Sequence, residues 1–254
     1  MLKGWLGAKS FSNIHVVEPK PTRALRRLAK DKKISLTTKL RLDAGEEISA
    51  AVLAVKPQIL KEEAELLRAL GETGALVLSI AAGITTHTLG ARLKAEVPIV
   101  RAMPNTPGAI GRGITALYAP KRLKRSQRAL VEQLTSALGE SIWVAEEKFI
   151  DAVTAVSGSG PAYVFLFAET LAAAACERGL DAVTADKLVR ATIAGAGALL
   201  DQDKRSPAML RQEVTSPGGT TEAALKVLMG RDGLRPLLRR AVKAAARRSK
   251  ELGR

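Results

Sequence analysis

The chain has 254 residues, of which 46% are apolar and only 3% aromatic, and it carries a net charge of +15. That length allows one or two domains with a sizeable core, and that apolar content excludes a disordered chain. One cysteine, Cys176, and two histidines, His15 and His87, exclude an intrachain disulfide framework and a four-cysteine zinc site, and no metal is expected.

In chain order, Met1, Leu2, Trp5 and Leu6 have the spacing of the end of a helix. Ile14 to Val17 is a β-branched run that stops at Glu18-Pro19, which predicts a short strand. Residues 22–30 read as a basic helix. Apolar runs at Ala50–Val55, Ala75–Ile80 and Val97–Arg101 predict three more strands, separated by helices over Ile59–Leu70 and around Thr86–Leu93. Such continuous runs alternating with helices predict a parallel sheet covered on both faces, with a ligand beyond the carboxyl ends of its strands. Glu18, Lys56, Ala81 and Met103 fall at those ends.

Gly108, Gly111 and Gly113 mark a loop, Ile114 to Tyr118 a further strand, 126–138 a helix and Ser141 to Val144 a last strand. From about Phe149 the pattern is helical only. Ala162 to Arg178 is a long apolar helix, expected to be buried on most sides in a core or a subunit interface, with Cys176 a buried small residue. Helices follow over about 184–201 and 234–251. The basic residues from Arg231 to Arg254 are interleaved with Leu234, Leu237, Leu238 and Val242, which reads as the solvated face of a terminal helix.

The stretch Ser216-Pro217-Gly218-Gly219-Thr220-Thr221 is a turn between two helical neighbours. Proline fixes φ, the glycines admit φ > 0, and the threonines can cap the helix that Glu222 opens. Backbone N–H groups at such a helix start suit a carboxylate or phosphate, though an ordinary Gly-rich connection fits the same residues. No G-x-G-x-x-G occurs anywhere in the chain.

Six motifs, in order and spacing, carry a resemblance. They are Ala54-Val55-Lys56-Pro57, Ser79-Ile80-Ala81-Ala82-Gly83, Arg101 to Pro107, Asp151-Ala152-Val153-Thr154, Ser157 to Tyr163, and Ser216 to Thr221. With them the chain resembles the pyrroline-5-carboxylate reductases from first residue to last, the final two motifs separating that family from hydroxyacid dehydrogenases. The latter want a catalytic lysine, and Lys187 has no accompanying motif. The resemblance implies an α/β, Rossmann-like NAD(P)-binding domain over 1–148 and an all-α dimerisation and substrate domain over 149–254. It implies hydride transfer from NADPH or NADH to the C=N carbon of a cyclic imino acid, giving L-proline as the last step of proline biosynthesis.

By the same resemblance the substrate carboxylate rests on Gly218, Gly219, Thr220 and Thr221, with Ser216 bracing the loop. Thr221 bonds the ring nitrogen as the catalytic orienter; an iminium is electrophilic enough to need no strong base. The cofactor groove is expected at Ala54, Val55, Lys56, Pro57, Ile80, Ala81 and Ala82, with Met103, Asn105 and Thr106 toward the nicotinamide. Glu147 is a cofactor position or one of a solvated acidic pair with Glu146. Glu18 suits a ribose 2′-OH while Lys20 and Arg23 suit a 2′-phosphate, and that choice stays open.

The family begins with a strand and a Gly-rich turn, whereas this chain starts inside the first helix. It is therefore expected to be amino-truncated, its nucleotide domain lacking the first strand, with weak cofactor binding and little or no reductase activity. The alternative is a non-catalytic remnant that serves only as a dimerising helical module. Lacking a signal segment or a long uncharged apolar stretch, the protein is expected in the cytoplasm as a homodimer or larger homo-oligomer, with no nucleic acid and no membrane as partner.

Overall fold

The computed structural model describes residues 1–40, 47–55 and 57–252. The chain forms two compact units, Met1–Gly158 joined by the chain from Ala246 onward, and Ser159–Ala245.

The first unit opens with helix α1 (Leu2–Ala8), strand β1 (His15–Val17), helix α2 (Arg23–Lys30) and strand β2 (Ser35–Thr37). There follow β3 (Ala50–Leu53), α3 (Pro57–Glu62), α4 (Ala64–Glu72), β4 (Leu76–Ser79), α5 (Thr86–Leu93) and β5 (Ile99–Met103). A 3-10 turn (Thr106–Ile110), β6 (Gly113–Tyr118), α6 (Arg125–Ser136), β7 (Gly139–Trp143) and α7 (Phe149–Val153) complete it, with a π turn over Thr154–Gly158.

Five strands form one sheet in the order β3-β4-β5-β6-β7. Strand β4 shows why its sequence is apolar up to Ser79: all four residues are buried, Val77 in a core with Leu67, Leu89 and Leu93, and Leu76 and Leu78 in a second core with Val131 and Leu134. Each face of the pleat has its own helical cover. Trp5 secures α1 to the second core, its Nε1–H donating to the Leu134 carbonyl at 2.8 Å.

The sheet departs from expectation in two ways. It is mixed, because β6 runs antiparallel to β5 while β7 is parallel to β6. The link at residues 104–112 is too short for a parallel crossover and returns the chain on itself. Strand β1 is paired with β2, which the sequence reading missed, in a separate two-stranded sheet. The helix expected over Ile59–Leu70 is also two helices, α3 and α4, with a break at Glu63.

Gly113, expected in a loop, begins β6, and a Cβ there would lie 2.6 Å from the Gly108 nitrogen. The second unit holds α8 (Gly160–Glu177), α9 (Ala182–Gln202), α10 (Pro207–Glu213) and α11 (Thr220–Leu228), and it takes in the start of α12 (Leu234–Leu252). Helix α8 has no buried residue, and Cys176, expected to be buried, is exposed. Apolar side chains on every side of α8 find too few partner helices within one chain to cover them.

Candidate active site

Strands β3, β4 and β5 are parallel neighbours in close register, with Leu53 beside Ser79 and Ser79 beside Arg101. Their carboxyl ends therefore bring Ala54–Val55, Ile80–Ala82 and Met103–Thr106 to one edge of the sheet. The Ile80 N–H donates to the Leu53 carbonyl at 3.1 Å, tying the first two ends together. Gly83, at φ +75°, turns the chain into α5 through a backbone region that side chains disfavour.

Ala54, Ala82 and Thr106 are exposed on this edge, and Val55, Ile80, Met103 and Asn105 partly so. The small exposed alanines leave backbone within reach of a flat ligand, which suits a dinucleotide laid across the strand ends. Ala81 is only 4% exposed and belongs to the core, so it shapes the edge from beneath. Asn105 Oδ1 accepts the Ile114 N–H at 3.0 Å, which fixes the return of the chain into β6. Lys56 lies outside the described residues, and Pro57 opens α3.

Glu147 is not half of an acidic pair with Glu146, which instead meets Lys148 at 2.6 Å. Its carboxylate accepts the N–H and the hydroxyl of Thr86, both at 2.8 Å, and Nη1 of Arg101 at 3.1 Å. Arg101 is a buried cation in β5, two residues before Met103. One carboxylate thus joins the start of α5, the strand β5 and the chain after β7. Sequence reasoning missed Arg101 and Thr86 as members of this cluster. The one available signal was a charged residue inside an otherwise apolar strand run.

Glu18 stands at the end of β1, its N–H donating to the Thr37 carbonyl at 2.9 Å and its Oε1 accepting the Lys20 N–H at 2.9 Å. It belongs to the β1–β2 sheet, which is not hydrogen-bonded to the five-stranded one.

In the second unit the turn before α11 is built differently from expectation. Gly219 is the N-cap, no side chain caps the helix, and Thr220 and Thr221 are its first residues. The Gly219 N–H donates to the Ser216 carbonyl at 3.0 Å, so Ser216 braces the turn through its backbone. The Gly218 N–H donates to Glu222 Oε2 at 2.8 Å. Of the amides expected to grip an acid, these two are already occupied. Among the described residues the N–H and hydroxyl groups of Thr220 and Thr221 have no protein partner, and they face solvent at a helix N-terminus. This arrangement can hold a carboxylate and a second polar atom beside it.

A family model described as pyrroline-5-carboxylate reductase dimerisation matches residues 147–252. The pyrroline-5-carboxylate reductase of Pseudomonas aeruginosa is 42% identical over 210 residues, which are 83% of this chain and 77% of that one. A solved pyrroline-5-carboxylate reductase from Coxiella burnetii is 39% identical with a TM-score of 0.90, covering 100% of this chain and 93% of its own. A Plasmodium falciparum pyrroline carboxylate reductase solved with NADP bound is 26% identical with a TM-score of 0.82, again covering 100% and 93%.

Proposed function

The chain belongs to the pyrroline-5-carboxylate reductase family, and from that premise we infer how its residues divide the work. It is an oxidoreductase of proline biosynthesis, with a Rossmann-like unit and a helical dimerisation region. It reduces 1-pyrroline-5-carboxylate to L-proline. NAD(P)H supplies the hydride when bound; the hydride goes to the C=N carbon and a proton to the nitrogen, leaving NAD(P)+ and a secondary amine.

The dinucleotide groove is assigned to about 1–148, with Ala54–Pro57 and Ile80–Ala82 along it and Met103–Thr106 at the nicotinamide end. Glu147 holds that edge in shape through Thr86 and Arg101 and makes no assigned contact with the cofactor. The acid-binding turn and the dimerising helices are assigned to 149–254. The substrate carboxylate lies on the free amides of Thr220 and Thr221. The Thr221 hydroxyl orients the ring nitrogen, accepting its N–H in the protonated imine. The observation that carries this reading is that pair of unpartnered threonines at the head of α11.

The residues from 149 to 177 are long and apolar enough to cross a membrane by length and composition alone. A second copy of the chain is the better cover. Val164, Phe165, Leu166 and Phe167 are consecutive and 46%, 66%, 58% and 45% exposed, and the dimerisation family model spans them. We read the protein as a cytoplasmic homodimer or larger homo-oligomer that needs neither nucleic acid nor membrane.

The test is imine-dependent NAD(P)H oxidation. Thr221→Ala is expected to lower kcat/KM by about a hundredfold, as loss of an orienting contact does, and Thr221→Ser to keep most activity. An alanine variant as active as the parent refutes the assignment.

A further inference from the structure

Helix α10 has seven residues and none of them is buried. A helix that short is marginal in water, and this one has no core of its own to hold it. Its last residue, Glu213, stands three positions before Ser216, so where α10 lies sets where the acid-binding turn begins. The start of the helix is well made. Ser206 caps it, the hydroxyl accepting the Met209 N–H at 3.3 Å, and Pro207 opens it where an N–H would be surplus. Both contacts are local, and neither fixes α10 to a neighbouring element.

Arg205 makes that tie. Asp203 ends α9, its N–H donating to the Leu199 carbonyl at 2.8 Å. The Asp203 carboxylate accepts the Arg205 N–H at 2.9 Å, Nε of the same residue at 3.1 and 3.0 Å, and its Nη2 at 2.6 Å. That Nη2 also meets Glu213 Oε2 at 2.8 Å. One guanidinium therefore runs from the end of α9 to the far end of α10. Past Glu213 the chain is folded back on the helix. The Thr215 hydroxyl donates to the Arg211 carbonyl at 2.6 Å and its N–H to the Gln212 carbonyl at 3.0 Å.

We propose that Arg205 is a positioning residue for the reaction: with Asp203 and Glu213 it straps α10, and so sets the amides of Thr220 and Thr221 for the substrate carboxylate. This role rests on the reading of those threonines given above. A planar fork engages two carboxylates in fixed directions, which an ammonium on a flexible stem does not. Hydrogen bonds to Asp203 first, and then to Glu213, raise the Arg205 pKa above its ordinary value, while the Arg205 side chain holds the Asp203 carboxyl below its own. The Arg205, Asp203 and Glu213 side chains are 45%, 27% and 57% exposed. Exposed ion pairs add little to global stability, so loss of the strap falls on the turn and leaves the fold standing.

The experiment is steady-state imine-dependent NAD(P)H oxidation by the full chain, with calorimetric binding of L-proline as a readout free of turnover. Arg205→Ala is expected to raise KM for the imino acid about five- to tenfold, as a displaced binding group does, and to weaken proline binding by the same factor. KM for the dinucleotide should stay at the parent value, and the thermal midpoint should move by less than about 3 °C. Arg205→Lys keeps the charge without the fork and should raise KM about threefold. Glu213→Ala should match Arg205→Ala, and R205A/E213A should be no worse than either single variant, because both changes cut one strap.

An unchanged KM for the imino acid in Arg205→Ala overturns the strap. So does a rise in KM for both substrates in step with a lowered thermal midpoint, which marks an ordinary structural ion pair. Effects of R205A and E213A that multiply in the double variant overturn it as well. Thr221→Ala, measured alongside, separates the two readings. An impaired Thr221→Ala beside a normal Arg205→Ala removes the strap alone, and a normal Thr221→Ala removes the seat and the strap together.

Discussion

Glu147→Ala removes an acceptor that three donors share. The Arg101 and Glu147 side chains are 7% and 21% exposed, so the arginine would keep its charge in a nearly dry wall without a counterion. The Thr86 N–H and hydroxyl, each at 2.8 Å from the carboxylate, would also lose their acceptor. Removing one partner of a fully buried pair costs about 3–5 kcal/mol. One fifth exposure lets water recover part of that, so about 2–4 kcal/mol is expected. Glu147→Gln keeps one acceptor oxygen and the shape, and should cost about 1–2 kcal/mol.

Urea unfolding followed by tryptophan fluorescence reads this unit alone, because Trp5 and Trp143 are the chain's two tryptophans and both lie in it. The midpoint should fall in the order parent, Gln, Ala, at constant slope. Dinucleotide affinity should fall with it, since Thr86 starts the helix after Ile80–Gly83 and Arg101 precedes Met103. A loss under about 1 kcal/mol for the alanine variant would refute the view that this carboxylate holds the edge together.

Glu222→Gln keeps an acceptor for the Gly218 N–H but removes a negative charge beside the acid-binding amides. KM for the imino acid should fall about three- to tenfold with little change in kcat, and a raised KM in steady-state assays would show that the charge does not oppose the substrate. Asp181 caps α9, and hydrogen bonds from Thr184, the side-chain one first, hold its carboxyl below the ordinary 3.8. A depressed carboxyl stabilises the fold above that value and loses its contribution as pH falls through the native one. Thermal midpoints measured from neutral pH downward should therefore drop less steeply below pH 3.8 in Asp181→Asn than in the parent. Phe165→Asp, on the exposed apolar side of α8, should give a folded monomer in analytical sedimentation, with unchanged helical circular dichroism.

The legible parts of the fold were those whose residues answer to a local rule. Strand β4 was readable because burial on both faces makes Leu76, Val77 and Leu78 all apolar, and α5 because Thr85 caps its start, its hydroxyl accepting the Thr88 N–H. The direction of β6 was not read from Ile114–Tyr118, since strand polarity leaves no mark on composition; only the length of the preceding link carried it. Strand β2 is three residues long, too short for alternation to register. The Glu147 cluster joins residues 61 positions apart, a pairing that three-dimensional packing creates. Cys176 was misjudged because an apolar sequence predicts burial without saying by which chain.

Composition that argued against familiar catalytic machinery is in keeping with what this reaction needs. A protonated imine is already polarised toward hydride, so the demand falls on positioning two reactants, which backbone amides and a neutral hydroxyl can meet. The dinucleotide is strongly anionic through its phosphates, while the protonated imino acid is a zwitterion whose carboxylate is its one negative group. A net charge of +15 then acts on the encounter with the dinucleotide as well as on the contacts, raising its local concentration before it binds. The same electrostatics explain why carboxylates near the proposed sites matter singly. Glu18 folds into a turn, Glu147 is neutralised by Arg101, and Glu222 is held against Gly218. Each is drawn into a protein contact, where an unengaged carboxylate would oppose the anions that the surrounding cations attract.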